Sequence, residues 1–452
     1  MKILIAGDGK VGSVVSKTLS REGHDIVLID MNNNALEMGA QKYDIMAVKG
    51  NCAAMHTLKQ AGVESAELLI AVTSTDEINL LSCLTAHCMN PKLHTIARIR
   101  NPEYVEQAVT MKDEFALSLV VNPERQAAQE ICNLIRYPGF LKRDTFAKGR
   151  VQIVELKVEE NSPLCNISLM SLGQVIKCKV LVCAVLRNGK AIIPGGNFVL
   201  CADDKVFVTA PSDNIQTLLK SLNIITHKAK SVLVAGGGKD AYYLANELKN
   251  SGITLKIIEQ AKDRCIQLAS LLPGAEIICG DASNQQLLEE EGIEDCDAVV
   301  SLTGIDEFNI IISLFAHTCK VEQVITKIGR IENSRMLDSL SLGSVVSPKD
   351  LCCNNIIRYV RALHNQVGAA KTVHRIADGH VEAAEFVVDD SVLHCGEKLK
   401  TLKLKKNVLV ACISKGMITN IPDGDSTFEK GDSVIIVSSD EVEIRQLNDI
   451  FE

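Results

Sequence analysis

Short, nearly unbroken apolar segments alternate with amphipathic stretches through the first 120 residues of the chain. Between the first two segments, Val15, Thr18 and Leu19 recur at a helical spacing. Strands that are apolar on both faces are typical of a parallel sheet that is covered by helices on each side. We therefore predict a doubly wound α/β domain. Its predicted strands are residues 3–6, 26–29, 45–48, 68–72 and 95–99.

The pattern changes after residue 123. Residues 124–136 have one apolar side and are predicted to form a helix, and the same side is a candidate contact between parts of the molecule. Residues 151–222 are rich in β-type segments, with an Asn188-Gly189 turn of the kind found in hairpins. This second region is predicted to be a small α+β lobe.

The whole pattern occurs twice. Residues 3–10 recur as residues 232–239 at an offset of 229, and Asp30 returns as Glu259 at the same offset. The pattern Thr-x-x-Asp-Glu-x-Asn, which begins at Thr73, returns at Thr303 with an offset of 230. A repeat of about half the chain indicates an internal duplication. The predicted fold class is therefore α/β, with two Rossmann-like doubly wound parallel sheets that are each followed by a small α+β C-terminal lobe.

The repeat divides the chain into six predicted regions. Residues 1–123 and 230–345 form the two Rossmann-like domains, and each is followed by a connecting helix region and a C-terminal lobe. The connecting helix regions are 124–147 and 346–376, and the lobes are 148–225 and 377–452. In the second helix region the apolar pattern predicts a helix from about residue 354 to 363.

Composition narrows the function classes. The 452 residues include 48 Lys and Arg against 56 Asp and Glu, for a net charge of −8, which argues against a general nucleic-acid binder. The apolar runs are far shorter than the roughly 18 residues of a membrane-spanning helix, and no secretory signal is predicted. The 16 cysteines are scattered, without a Cys-x-x-Cys pair, and are predicted to be reduced thiols of a cytosolic protein. No metal site is predicted.

A glycine-rich loop follows the first predicted strand and opens the first helix. Its residues are Gly7, Asp8, Gly9, Lys10, Val11 and Gly12, a Gly-x-Gly-x-x-Gly pattern. The first glycine permits the tight turn, the second lets backbone approach a pyrophosphate, and the third allows close packing of helix and strand. The helix N-terminus then offers free N–H groups to the phosphates. This context favours a dinucleotide site over a structural turn that binds nothing.

An acidic residue completes the pattern. Asp30 ends the second predicted strand, where a carboxylate accepts hydrogen bonds from the ribose hydroxyls of a dinucleotide. Residues 31–34 contain no arginine for a 2′-phosphate, so NAD is favoured over NADP. The second copy has Gly236, Gly238 and Glu259 but carries Ala241 at the third glycine position. It is predicted to keep the fold with a weaker or different nucleotide site, or with no ligand.

Three further residues are expected at the first site. Thr73 and Ser74 follow the fourth predicted strand, and ligands of open parallel sheets lie beyond the strand ends. An alternative interpretation makes Ser74-x-x-Glu77 a capping box for the next helix. Arg98, in the fifth strand, is a candidate phosphate ligand or else a member of an ion pair. Lys327 occupies its position in the second copy.

The duplicated order of these pieces resembles the TrkA family, the peripheral regulatory subunits of Trk-type potassium uptake systems. The resemblance covers essentially the whole chain. It implies binding of NAD(H), or of ATP or ADP as the alternative ligand, in the sheet domains. It also implies a homo-oligomeric ring on the cytoplasmic face of the cell membrane, in contact with a membrane-embedded potassium-translocating subunit, and no catalysed reaction. The family often has an acid after the glycine that ends strand three, where this chain has Asn51 in the first copy and Asp281 in the second.

A different class, an NAD-dependent oxidoreductase with duplicated cofactor domains, remains the alternative. Such an enzyme needs an acid or base beside the nicotinamide. Residues 151–222 contain no histidine, and Arg187 is their one arginine. This region therefore has few side chains that could serve hydride transfer with an acidic substrate.

Overall fold

The computed structural model describes residues 1–32, 45–136, 142–222, 229–329, 340, 342–363, 370–416, 418–442 and 444–452. The predicted boundary of the first C-terminal lobe at residue 225 lies outside these ranges. Within the described parts, each half contains a six-stranded parallel sheet and a five-stranded antiparallel sheet. The predicted fold class is confirmed.

The first parallel sheet has the strand order β3-β2-β1-β4-β5-β6. The order reverses between β1 and β4, which opens a crevice beyond their carboxyl ends. Its strands are β1 (Lys2–Ala6), β2 (Asp25–Asp30), β3 (Met46–Lys49), β4 (Leu68–Ala71), β5 (His94–Arg98) and β6 (Leu119–Val121). Its helices are α1 (Lys10–Arg21), α2 (Met55–Gln60), α3 (Asp76–Met89) and α4 (Pro102–Thr110).

A long helix and the first small lobe follow. They comprise α5 (Pro123–Arg136), β7 (Lys142–Phe146), β8 (Val151–Lys157), β9 (Leu181–Arg187), β10 (Lys190–Ile192), β11 (Lys205–Pro211) and α6 (Ile215–Ser221). The antiparallel order is β10-β9-β11-β8-β7. The predicted turn joins β9 to β10, with Asn188 at φ 52° and Gly189 at φ 71°, the left-handed values that a two-residue hairpin requires.

The second half repeats this plan, with strand orders β14-β13-β12-β15-β16-β17 and β18-β19-β22-β20-β21. Its strands are β12 (Ser231–Ala235), β13 (Thr254–Glu259), β14 (Ala275–Cys279), β15 (Ala298–Ser301), β16 (Gln323–Lys327), β17 (Ser344–Val346), β18 (Thr372–Ile376), β19 (Val381–Val387), β20 (Val408–Lys415), β21 (Ile418–Asn420) and β22 (Ser433–Ser439). Its helices are α7 (Lys239–Leu248), α8 (Lys262–Leu271), α9 (Gln285–Glu290), α10 (Asp306–Thr318) and α11 (Pro348–Leu363).

The two long connecting helices are exchanged between the halves. The apolar side of α5, including Ile131, is buried in one core with Val234 of β12 and Leu244 of α7. The apolar side of α11, including Ile356, is buried in one core with Ile5 of β1. Each half therefore supplies a helix that covers the parallel sheet of the other half.

The small lobes also join the halves. Phe146, Ile153 and Phe207 of the first lobe share a core with Val381 and Ile435 of the second. Since apolar burial is the dominant favourable term in folding, these shared cores mean that each half contributes to the stability of the other.

Two local predictions differ from the structure. Helix α11 begins at Pro348, about six residues before the predicted start, because a polar first turn carries no apolar periodicity. The capping box at Ser74 is wrong, since Thr75 is the N-cap of α3 and its side chain makes no capping hydrogen bond. No helix in the described parts of the chain combines the length and the apolar character needed to cross a bilayer.

Candidate functional site: two glycine-rich clefts

The first glycine loop turns between β1 and α1 against the end of β4. Gly7 has φ +101°, and a Cβ at Gly7 would lie 3.0 Å from the backbone N and Cα of Thr73. A Cβ at Gly12 would lie 1.8 Å from the Gly7 carbonyl oxygen. These two glycines are therefore required by close backbone contacts within the protein itself.

Gly9 serves a different purpose. It is the N-cap residue of α1 at an ordinary φ of −78°, and its end of the helix has no side-chain cap. Among the described residues, a Cβ at Gly9 would meet no atom within 4 Å apart from its chain neighbours. An open space therefore lies in front of the first N–H groups of α1, where the helix dipole favours an anion.

Asp30 holds the loop in place. Its Oδ2 accepts a hydrogen bond from the Asp8 N–H at 2.7 Å, and its Oδ1 accepts one from the Asn32 N–H at 2.8 Å. A carboxylate has about four acceptor positions, so it keeps capacity for a sugar hydroxyl. Burial, and then the Asp30 charge, raise the pKa of Asp8 to about 6. Of residues 31–34, which offer no arginine for a 2′-phosphate, residues 33 and 34 lie outside the described part of the chain.

The side chains of the repeated Thr-x-x-Asp-Glu-x-Asn pattern form hydrogen bonds at the strand ends. Asn79 Oδ1 accepts from the Thr73 N–H at 2.8 Å and from Thr73 Oγ1 at 2.7 Å, while its Nδ2 donates to the Arg98 carbonyl at 2.8 Å. Asp76 Oδ2 accepts from the N–H groups of Arg100 and Asn101. The roles of Asn79 and Asp76 were not predicted from the sequence, although both residues recur in the second half and that repetition was a signal.

Arg98 projects from the end of β5 into this region. Its Nη2 donates to the Thr73 carbonyl, and its Nε is buried with no hydrogen-bond partner among the described residues. Burial, and then the neighbouring Arg100 charge, lower the pKa of Arg98. Arg100 donates to the Ser74 carbonyl at 2.5 Å, and the Ser74 side chain is exposed. A buried donor without a partner is costly, and an anion in the cleft would satisfy it.

The first cleft adjoins the second half of the molecule. The Lys10 Nζ lies beside Gly329, where an added Cβ would be 3.5 Å from it. The Tyr243 hydroxyl donates to the Arg100 carbonyl at 3.1 Å and accepts from Asn122 Nδ2 at 2.9 Å. Residues next to the first cleft therefore contact elements of the second half directly.

The second cleft keeps the backbone geometry of the first. Gly236 has φ +107°, and a Cβ at Gly238 would meet nothing within 4 Å. Glu259 accepts from the N–H groups of Gly237 and Ala261, at 2.8 Å each. One contact has no counterpart in the sequence predictions: Arg264 Nε of α8 donates to the Gly237 carbonyl at 2.8 Å.

The polar groups of the second cleft differ from those of the first. Lys327 Nζ donates to Asp240 Oδ2 at 2.6 Å and to the Leu302 carbonyl at 2.9 Å. Asp240 stands in the first turn of α7, and its Oδ1 is buried without a partner. The second cleft thus already holds a carboxylate at the helix N-terminus, which opposes a phosphate there.

The first copy has Asn51 where the second has Asp281, and this difference changes the local hydrogen bonding little. Asn51 Oδ1 accepts from the Ala53 N–H at 3.0 Å, and Asp281 Oδ1 accepts from the Ser283 N–H at 2.9 Å. The Ser283 hydrogen bonds lower the pKa of Asp281. Both residues form the same local turn, so Asn51 replaces the acid in this structural role.

The structure therefore places the predicted residues in two groups. The loops, the strand ends and the start of α1 at the first cleft contain Gly7, Asp8, Gly9, Lys10, Val11, Gly12, Asp30, Thr73, Ser74 and Arg98. Gly236, Gly238 and Glu259 belong to the second cleft. Their role in holding a nucleotide stays a prediction.

Comparisons with known proteins bear on the same regions. The TrkA-N domain model matches residues 3–123 and 232–348, and the TrkA-C domain model matches residues 153–223. The chain is 31% identical over 460 aligned positions to the Trk system potassium uptake protein TrkA of Haemophilus influenzae, covering 100% of this chain and 99% of the relative. It is 31% identical to a TrkA homologue of Archaeoglobus fulgidus, with both chains covered completely (100% each).

Solved structures share the fold. The chain resembles the crystal structure of the GsuK RCK domain with a TM-score of 0.60 and 18% identity, over 97% of this chain and 92% of that one. It resembles the GsuK channel bound to NAD with a TM-score of 0.61 and 18% identity, over 97% of this chain and 77% of that one. At this identity the likeness concerns the fold alone.

Proposed function

The chain belongs to the TrkA family of Trk system potassium uptake proteins, and from this premise we propose that it is a nucleotide-binding subunit that regulates potassium uptake. The observation that carries the proposal is the open, uncapped N-terminus of α1 at Gly9. This backbone cradle lies at the switch point of a doubly wound sheet, where such folds bind nucleotides.

The residues of the first cleft fit an adenine dinucleotide. The N–H groups at the start of α1 would hold the pyrophosphate, and the buried Arg98 Nε supplies a donor and a positive charge for it. The Asp30 carboxylate would accept from the ribose. NAD(H) is the proposed ligand, with ATP or ADP as the alternative, and the bound nucleotide acts as a signal rather than as a reactant.

The second cleft is proposed to bind nucleotide more weakly. Gly238 leaves an equivalent open space. Glu259 accepts from backbone N–H groups at the positions of the repeat that correspond to the partners of Asp30. However, the Asp240 carboxylate neutralises Lys327 and stands at the helix N-terminus that a phosphate would use. The two sites of one chain would therefore differ in affinity and in ligand preference.

Regulation would follow from the contact between the halves. Lys10 belongs to the first glycine loop and lies beside Gly329 of the second half. A ligand that binds two conformations of this junction with different affinity shifts their populations by that difference. The exchanged helices α5 and α11 would transmit the change between the parallel sheets, because each helix follows the sheet of one half in the chain and packs on the sheet of the other half.

The proposed partners are supported by the relatives' names and by exposed apolar surface. We propose that the chain assembles as a homo-oligomeric ring on the cytoplasmic face of the membrane and acts on a membrane-embedded potassium-translocating subunit. Helix α10 and the residue before it expose Ile305, Phe308 and Ile311 at 39–49% of their surface. Exposed large apolar side chains that recur at a spacing of three residues support a protein interface at this helix.

The oxidoreductase alternative gains no support. The relatives described above are named as potassium uptake proteins. Arg187, which is the one arginine between residues 151 and 222, is engaged by Asp204, with Nε 2.7 Å from Oδ1 and Nη2 2.6 Å from Oδ2. It is therefore held in a structural ion pair rather than presented to a substrate.

Two measurements test the proposal. Calorimetric titration of NAD, NADH, ADP and ATP into the purified chain should show saturable binding of at least one of them. Potassium flux through the membrane subunit should respond to that nucleotide and lose the response with Asp30→Ala. Asp25→Ala, at the exposed opposite end of β2, is the matched control and should retain the response. An unchanged response in Asp30→Ala would contradict the first site.

A further inference from the structure

Two cysteines lie side by side at the edge of the second cleft. Cys265 stands in the first turn of α8, and its thiol donates to the Glu259 carbonyl at 3.1 Å. Cys279 ends β14, where it is the register partner of Glu259 in the parallel β13–β14 pair. Neighbouring strands are about 4.8 Å apart, so Cys265 contacts the backbone position directly beside Cys279.

Both side chains lie on the same face of the sheet. Leu268 and Leu272 follow Cys265 at helical spacing and are buried in the core beneath α8. Ala275 and Ile277 of β14 pack against that core. Since side chains alternate along a strand, Cys279 shares the face of Ala275 and Ile277. The α8 helix therefore brings the Cys265 thiol towards the Cys279 thiol.

The two thiols differ in accessibility. Cys279 is exposed, whereas Cys265 is buried. Burial, and then interaction with the Cys279 thiol, raise the pKa of Cys265 to about 11. Cys265 is thus protected from direct oxidation as a protonated, covered thiol, while Cys279 is open to small oxidants.

We propose that Cys265 and Cys279 form a redox modification site at which hydrogen peroxide closes a reversible disulfide. The Cys279 thiolate attacks the peroxide, the O–O bond breaks, and Cys279 becomes a sulfenic acid while hydroxide leaves. Cys265 then gives up its proton and attacks the Cys279 sulfur, the S–O bond breaks, and water leaves. The hydroxide takes up the proton that Cys279 lost when it became a thiolate. In sum, two electrons pass from the two thiols to one hydrogen peroxide, which ends as two waters.

The disulfide would act on the second cleft, and this consequence rests on the proposed function. Arg264 precedes Cys265 in α8 and donates to the carbonyls of Gly237 at 2.8 Å and Gly238 at 3.4 Å. A covalent link from Cys265 to β14 would fix the first turn of α8, and with it the guanidinium that holds the glycine loop. The nucleotide affinity of the second cleft would then depend on the redox state.

Peptide mapping tests the modification without reference to any nucleotide. The full chain is treated with hydrogen peroxide, free thiols are alkylated, and the digest is analysed by mass spectrometry without reductant. A Cys265–Cys279 cross-linked peptide is expected, to be lost after dithiothreitol. It should be absent from Cys279→Ser and retained in Cys88→Ser, which removes another exposed thiol. A free Cys265 thiol beside an over-oxidised Cys279, or a Cys279 disulfide between two chains, overturns the proposal.

Titration with ADP tests the consequence. Oxidised chain should bind ADP at the second cleft with an affinity at least threefold different from that of reduced chain, and Cys279→Ser should show no difference after the same treatment. Equal affinities in a chain that carries the cross-link would overturn the coupling to the cleft. A chain that binds no nucleotide in either state would contradict the proposed function, and the peptide map would still decide the modification.

Discussion

The Lys327 ammonium and the Asp240 carboxylate lie 2.6 Å apart inside the second cleft, where the first cleft presents Arg98 and Val11 at the same positions of the repeat. The duplicated domains therefore share a backbone but differ in the charge that a phosphate would meet. In the second cleft a protein carboxylate neutralises the cation, whereas in the first the buried Arg98 Nε has no hydrogen-bond partner in the part of the chain that the structure describes.

Asp240→Asn should strengthen nucleotide binding at the second cleft. The change removes one negative charge from the start of α7 and frees Lys327 for an anion. We expect the affinity of this site for ADP to rise at least tenfold, which corresponds to about 1.4 kcal/mol, in calorimetric titration. Asp263→Asn, an equal charge change at an exposed position of α8, is the control and should alter the affinity little. An unchanged affinity in Asp240→Asn would show that the ion pair does not limit binding.

Gly9→Ala and Gly12→Ala should separate binding from folding. A Cβ at Gly9 meets no protein atom, and its φ of −78° suits alanine, so Gly9→Ala should keep its thermal stability and lose nucleotide affinity about tenfold or more. A Cβ at Gly12 would overlap the Gly7 carbonyl oxygen, so Gly12→Ala should lower the free energy of unfolding by about 1–3 kcal/mol. Denaturant unfolding and calorimetry on both variants check this. Full nucleotide affinity in Gly9→Ala would exclude close approach of a phosphate.

Asp8 should make the first cleft pH-sensitive. Its pKa is raised to about 6 in the folded protein, so its proton is held more tightly there than in the unfolded chain. The free energy of unfolding should therefore fall as the pH rises from about 4 to about 6. Asp8→Asn should remove this contribution, measured by denaturant unfolding across the range.

Protonation of Asp8 should also change the affinity of the first cleft for NAD. Neutralising Asp8 removes a negative charge from the glycine loop, so NAD affinity at the first cleft should rise about threefold or more between pH 7.5 and pH 5.5. NAD suits the test because its phosphate diester groups keep their charge over this range. Asp8→Asn should bind NAD with nearly the same affinity at both pH values. An equal pH dependence in the variant would assign the effect to other groups.

Shortening one buried side chain of an exchanged helix should destabilise the half of the molecule that this helix covers. Ile131→Ala and Ile356→Ala each remove a fully buried side chain and should cost about 2–5 kcal/mol. Hydrogen exchange should speed up first in β12 and β13 for Ile131→Ala, and first in β1 and β2 for Ile356→Ala. Faster hydrogen exchange only in the half of the sequence that carries the substitution would contradict the packing of each helix on the other half.

Much of this molecule follows from local sequence patterns. The apolar segments located the first five strands to within a residue or two, and the repeat offset predicted a second copy of both sheets. The glycine loop and Asp30 also follow from the sequence, because a tight turn, a helix N-terminus and a strand-end carboxylate are all set within about 25 residues. Local spacing determines which backbone atoms meet there, so a linear pattern is sufficient.

Other features depend on contacts between distant residues. The apolar side of α5 indicates that something covers it, but apolar burial has no direction, so only the fold shows that the cover is the other half of the chain. The pairing of Asp240 with Lys327 joins residues 87 positions apart, and Arg98 had two equally good interpretations from sequence. The sequence by itself thus determined the elements, the duplication and the glycine cradles, because these arise from neighbouring residues. The tertiary structure decided which half each helix covers and which charge each cleft presents, because those depend on how separate elements pack in space.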